Sequence, residues 1–246
     1  MTETQHIPWK RIAVEAAAIV GSILLAFAID AWWDDYQNRS EEQRILVGLK
    51  SEFEQNLGLI EIELSYRHAV IDSILKILDA AVATDPMEPE ALDSLIGDLT
   101  WWQNIKYYRG AIDGLLQSGG ISFIGNDELR LALASMPGKY DDTTGSELYD
   151  QHTSLNVIIP YLRSHASLVQ ISNTQETGRP GVETSAVQPI FPVGDPEDHL
   201  KLLSDQEFLG IVVQEHWNHG SAIRAYESLK SALENNIRLI ESEMNH

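Results

Sequence analysis

The stretch Ala16-Ala-Ala-Ile-Val-Gly-Ser-Ile-Leu-Leu-Ala-Phe-Ala-Ile29 carries no charge. Extended to Ile12 and Trp33 it gives a segment whose only charges, Glu15 and Asp30, lie near its ends. As a helix it would span roughly 33 Å at about 1.5 Å per residue, enough for the hydrocarbon core of a bilayer. Trp9 precedes it, and Trp32 and Trp33 follow it. Amphipathic rings at both ends are what two headgroup layers favour. The reading is a transmembrane helix over 12–33, after a cytoplasmic stub over 1–11. Two other readings fit the same residues. One is the core helix of a soluble domain. The other is a signal peptide, with Lys10 and Arg11 as its basic region and Ala26-Phe27-Ala28 as its cleavage site. Helical patterning that runs on through that bond favours a retained span.

Lys10 and Arg11 sit just before the span, whereas Asp30, Asp34 and Asp35 follow it. Lys and Arg set topology and acids contribute little. The expectation is an N-terminus inside and a periplasmic soluble domain, in the inner (cytoplasmic) membrane of a bacterium. The membrane-anchor residues are then Trp9, Lys10, Arg11, Glu15, Trp32 and Trp33. Ala18, Ser22 and Ala26 recur every four residues on one face, a spacing that lets two helices approach closely. They are the residues a homodimer would use.

Residues 34–246 hold 34 Asp and Glu against 15 Lys and Arg. Such a field repels phosphate backbones, so nucleic acid is excluded as a partner. The lipid bilayer, a second copy or an envelope protein is expected instead. The chain has no cysteine, which removes disulfides, zinc–thiolate sites and thiol nucleophiles together.

The rest of the chain reads as helix. From Glu41 to Ala83, residues Ile45, Leu49, Phe53, Leu57, Ile60, Leu64, Ile71, Ile74, Leu75 and Leu78 form one apolar stripe. Its single step of seven falls between Leu64 and Ile71. Glu52, Glu54, Glu61, Glu63 and Asp72 are assigned to the opposite, solvated face. Together with the span this predicts one long helix, or two nearly coaxial ones. Shorter helices are expected over 88–102, 108–117, from Asn126 to Ser135 (before Pro137), and 146–169 with Pro160 as a break. Residues 172–196 hold four Pro and three Gly and no periodicity, which reads as a long loop. A short helix from Asp195 to Leu203 and a long one from Ser204 or Asp205 to Met244 complete the chain. Leu209, Val212, Val213, His216, Ile223, Tyr226, Leu229, Leu233, Ile237 and Ile240 supply the stripe of that last helix. The fold class is all-α: the transmembrane helix followed by an antiparallel helical bundle over 34–246.

Few residues suggest chemistry. His216 and His219 are three apart on one helix face, a weak metal pair with no third ligand specified. His152 and His165 lie on another predicted helix that could meet them. The cluster Trp101, Trp102, Tyr107, Tyr108 and Arg109 suits either a ligand platform or packing. Gly119, Gly120 and Gly125 make no phosphate cradle, since no strand precedes them. No catalytic residue and no cofactor is expected.

Two stretches resemble a bacterial family catalogued as domain of unknown function 6090. The first carries Glu15, Ile29, Trp32, Asp34, Asp35, Arg39, Glu42, Leu46, Leu49, Glu52, Asn56 and Leu57. The second carries Leu115, Ser118, Gly120, Ile124, Asn126, Glu128, Leu129 and Arg130. Val14 and Ser22 depart from the family's glycines, and Tyr36, Gln37 and Ser40 from its basic residues. The resemblance implies a single-pass bacterial membrane protein and brings no activity with it. The function expected is an interaction, scaffold or sensing module of the cell envelope. A small-ligand sensor closed by the loop 172–196 and a metal-dependent enzyme built on His216 and His219 are the alternatives.

Overall fold

A computed structural model describes residues 9–85, 87–174 and 195–245, with the backbone alone at 9–14, 16, 173 and 196. Among the described residues there are seven α-helices and no strand. The first, α1, runs unbroken from Trp9 to Val82 over 74 residues, a rod of roughly 111 Å. Its lower part stands alone: every described side chain from Ala17 to Ser40 is exposed. The apolar window there is 0% buried, and this helix is long and apolar enough to cross a membrane. From Leu46 onward the same helix enters the core.

Helices α2 (Pro89–Leu99) and α3 (Gly110–Ser118) follow, separated by an irregular segment over 100–109. Along 103–110 the residues alternate between half-buried and exposed, the period of extended chain. Helix α3 stops at Gly119, whose φ of 73° is left-handed and therefore suits glycine. A 3-10 turn, Gly120–Phe123, leads to Asn126, whose side chain accepts from the Leu129 amide and caps α4 (Asp127–Thr153).

Helix α4 corrects the sequence reading. Two helices were expected there, the first ending before Pro137, but one helix passes through that proline. Proline removes one backbone donor and costs about 3 kcal/mol in a helix interior. Met136 and Tyr140 beside it are fully buried, and their packing outweighs that loss. The break comes later, as a π-helical turn over Ser154–Ile158, before α5 (Ile159–His165) and α6 (Leu168–Thr174). Residues 172–174 of the expected loop are thus helical, and 175–194 lie outside the described residues. A 3-10 helix, Pro196–Ser204, precedes α7 (Gln206–Met244), whose N-cap Asp205 accepts from the Glu207 and Phe208 amides.

Helix α7 lies along α1 with its numbering reversed: Lys50 meets Glu241, Glu61 meets Lys230, and Arg67 meets His219. It also packs on α4. The apolar core is in two parts. One is built around Leu49, Phe53, Ile60, Leu133, Tyr140 and Leu229, near the free part of α1. The other surrounds Ile74, Ile77, Leu92, Leu162, Phe208 and Val212 at the far end.

Candidate functional site

Between the two apolar cores lies a belt of buried polar side chains. Arg67 of α1, its side chain 3% exposed, is the centre. Its Nη2 lies 2.7 Å from Asp150 Oδ2 of α4, and its Nε lies 2.8 Å from Glu63 Oε1. The guanidinium carbon sits 4.9 Å from the centroid of the Tyr226 ring, a cation–π arrangement. Burial alone would lower the Arg67 pKa, but Asp150 and Glu63 raise it above the ordinary arginine value.

Two further acids face the same interior. Glu147 of α4 accepts from the Tyr226 hydroxyl at 2.6 Å and from the Ile105 amide at 3.1 Å. Glu215 of α7 accepts from the Asn218 amide at 2.8 Å, and its other oxygen is 3.7 Å from His219 Nε2. Burial pushes Glu63, Glu147 and Asp150 above the usual carboxylate range, and Glu215 up to about 7. Burial, with Arg67 nearby, pushes His219 down to about 3. The imidazole is therefore neutral, and its Nδ1, 3.5 Å from Arg67 Nη1, is placed as the acceptor.

The belt satisfies a backbone that has no partner strand. The extended segment 100–109 crosses the helices, and its polar groups need hydrogen bonds. Ser154 donates to the Thr100 carbonyl at 2.6 Å. Gln103 donates to Glu63, and Glu147 receives the Ile105 amide. Asn56 accepts from the Tyr108 amide at 2.8 Å and donates to the Tyr108 carbonyl at 2.7 Å. Glu52 then accepts from the Ala111 and Ile112 amides, the open end of α3. Glu52 and Glu63, read as solvated, are 7% and 1% exposed. Glu52 faces inward to receive the amides at the start of α3, and Glu63 to meet the Arg67 guanidinium and the Gln103 side chain.

A separate clamp sits in the far core. His199 contacts buried Asp93 through Nδ1, and its Nε2 accepts from the Ser167 amide at 2.8 Å. One imidazole thereby joins the 3-10 helix to α2 and to the start of α6.

The residues singled out in the sequence fall in different places. Trp32 and Trp33 are exposed and each stacks with Tyr36, at 6.1 and 6.0 Å. Ala18, Ser22 and Ala26 are exposed, and the Ser22 hydroxyl donates back to the Ala18 carbonyl at 2.8 Å. Glu15 is exposed, whereas the side chains of Trp9, Lys10 and Arg11 lie outside the described residues. His219 is buried in the belt and His216 is half-buried beside it. His152 pairs with Asn156 and His165 stacks on Tyr161 at 4.2 Å, so neither reaches His219. The aromatic cluster is used for packing: Trp101 lies 4.9 Å from Tyr66, Tyr107 lies 4.9 Å from Tyr140, and Arg109 covers the Tyr140 ring.

Arg67, Asp150 and Glu147 were not singled out, though a signal existed. Arg67 fills the seven-residue step in the α1 stripe, and His219 fills a matching step between His216 and Ile223 on α7. Gaps at equivalent heights on two facing helices mark a polar layer. The residues that carry the family resemblance also serve structure. Glu42 accepts from the Gly125 amide, Arg130 donates to the Ile124 carbonyl, and a Cβ on Gly120 would crowd Ser118 and Leu115. No family model, no curated protein and no solved structure matches this chain.

Proposed function

We propose that this chain is a single-pass bacterial envelope protein of the kind found in the domain-of-unknown-function family 6090. Its 12–33 segment anchors an antiparallel helical bundle that serves as an interaction, scaffold or sensing module. One observation carries the reading. The same uninterrupted helix has its whole apolar window exposed below and a buried stripe above. A single helix has no reason to leave Ile19, Leu24, Leu25 and Phe27 in water when it buries Leu46, Leu49 and Phe53 a few turns later. In lipid, each large apolar side chain near the centre of the span favours insertion by roughly 0.3–0.6 kcal/mol. The back-bonded Ser22 hydroxyl meets the same need, since lipid offers no partner.

Continuity of α1 also bears on a sensing role. A stiff rod shared by bilayer and bundle links any rotation or tilt of the span to Glu63 and Arg67. The metal-dependent alternative has less behind it, because the Arg67 guanidinium stands 3.5 Å from His219 Nδ1 and disfavours a second cation there. On the Lys10 and Arg11 bias, the bundle faces the periplasm.

Membranes from cells expressing the full chain should keep it, uncleaved, through an alkaline carbonate wash. Release into the supernatant overturns the anchor. The absence of cysteine gives a clean topology assay on the same cells. Leu131→Cys, at an exposed site on α4, should react with a membrane-impermeant maleimide in spheroplasts; protection there until lysis places the bundle on the cytoplasmic side.

A further inference from the structure

The belt holds more acid than base. Glu63, Glu147, Asp150 and Glu215 are all buried, and among the described residues the one cation beside them is Arg67. His219 does not supply a second, since it lies against that guanidinium. Were all four carboxylates ionised, the belt would carry three uncompensated negative charges inside a protein. Burying even one unpaired charge is costly, so such groups take up protons instead. We infer that the belt is a proton-operated latch: protons held among its carboxylates let α7 close on α1 and α4, and their release at alkaline pH loosens that contact.

The groups of the belt come from every neighbouring element, and those next to Glu215 itself are Asp150, Arg67, Asn218 and His219. Helix α1 supplies Glu63 and Arg67, and α4 supplies Glu147 and Asp150. The crossing segment supplies Gln103 and Tyr107, and α7 itself supplies Asn218, His219 and Tyr226. The protons have a route. A cleft of about 360 Å³ between α4 and α7, lined by Asp142, Ser146, Tyr149, Asp150, Asn218 and Ser221, ends on two members of the belt. Asn218 there is the residue that holds Glu215.

The direction of the response follows from linkage. Glu215, at about 7 in the folded chain against an ordinary 4.5, keeps a proton that the unfolded chain has already lost. Stability from that proton is full below pH 4.5 and is lost as pH rises through 7. Glu63, Glu147 and Asp150 are shifted in the same sense. His219 works oppositely: it lacks in the folded chain a proton that the unfolded chain binds below 6.5. Its contribution is lost as pH falls through that range, so it offsets one acid on the acid side. Above pH 6.5 the acids act alone.

The test uses the full chain in detergent micelles or nanodiscs, with thermal unfolding followed from pH 6 to 9. For each proton released, the unfolding constant should rise by up to ~10-fold per pH unit. Glu215→Gln keeps the shape and the Asn218 contact but cannot ionise. It should flatten the fall between pH 6 and 8, while Glu61→Gln on the surface should leave it unchanged. Spin labels at Ile62→Cys and Trp217→Cys, both exposed, report the α1–α7 distance directly. That distance should be longer at pH 9 than at pH 6 in the otherwise native chain and constant with Glu215→Gln. A wild-type pH profile retained by Glu215→Gln, or an α1–α7 distance unchanged from pH 6 to 9, overturns the latch. Neither readout depends on where the chain resides, so failure of the membrane anchor and failure of the latch are told apart.

Discussion

Helix α1 has two halves made of the same backbone and much the same apolar residues, and they differ in what surrounds them. Below Ser40 the large side chains point out in all directions and touch no other element. Above Glu41 most of the large apolar residues are buried along one face, Val47, Ile62, Leu75 and Val82 being exposed, and the inward face also takes up Glu52, Asn56, Glu63 and Arg67. A helix apolar all round suits a solvent that is itself apolar, whereas an amphipathic one suits a boundary between protein and water. The upper half can place charges inside because other helices supply partners. The lower half has none to offer, and the one polar side chain in its uncharged stretch, Ser22, bonds to its own backbone.

The largest effect that sharpens this contrast is expected at Arg67. Replacing it with Met keeps most of its volume and removes the cation that, among the described residues, stands alone beside four buried carboxylates. Breaking one side of a buried ion pair costs about 3–5 kcal/mol. Chemical or thermal unfolding of the full chain near pH 7 should show a loss of that size. Because the stranded carboxylates can then take protons, part of the loss should be recovered at pH 5. A loss below about 1 kcal/mol would mean that Arg67 is not what holds the belt.

A paired substitution tests the two halves directly. Leu49 is fully buried in the core near the free part of the helix, whereas Leu24 is 63% exposed. Leu49→Ala should lower the unfolding free energy of the bundle by about 2–5 kcal/mol, through lost burial and the cavity it leaves. Leu24→Ala should leave that transition where it was. Equal effects would show that the lower half also packs against protein, as it would in a dimer through Ala18, Ser22 and Ala26.

What the sequence revealed, and what it concealed, follows the range of the interactions involved. The long, exposed apolar stretch of α1 could be read because its length and apolarity belong to a local run of residues. Asn126 and Asp205 could be read because a cap is a contact with the next few residues. The inward turn of Glu52 and Glu63 could not. Besides Arg67 beside Glu63, their partners are Ala111, Ile112 and Gln103, 40 or more positions away. Polarity alone sends a glutamate to the surface, and only partners brought in by the tertiary fold give it cause to be inside. The upper stripe of α7 was legible only in part. Leu209, Val212, Val213 and His216 were placed inward; Val212 is buried, while the other three are half-buried and Phe208, Glu215 and His219 are buried with it. Pro137 misled for a related reason, since the buried neighbours that override it come from tertiary packing.

The smallest effect concerns the seam where the halves of α1 meet. Asn126 caps α4 by accepting from the Leu129 amide, and its own amide donates to Glu243 near the end of α7 at 3.1 Å. Gly125 beside it is bonded to Glu42, so this turn ties α4 and α7 to α1 at the point where the helix emerges from the bundle. Asn126→Ala removes the cap and should cost about 1 kcal/mol. Asn126→Asp preserves the cap, and near the positive end of the helix dipole it should cap well. It also sets a carboxylate against Glu243, 3.1 Å away in the native chain. If the cap alone matters, Asp restores the wild-type midpoint. If the link to α7 matters as well, Asp remains below it at neutral pH and recovers as acid neutralises the pair. Recovery on acidification would identify the contact between α4 and α7, rather than the helix end alone, as what steadies α1 where its surroundings change.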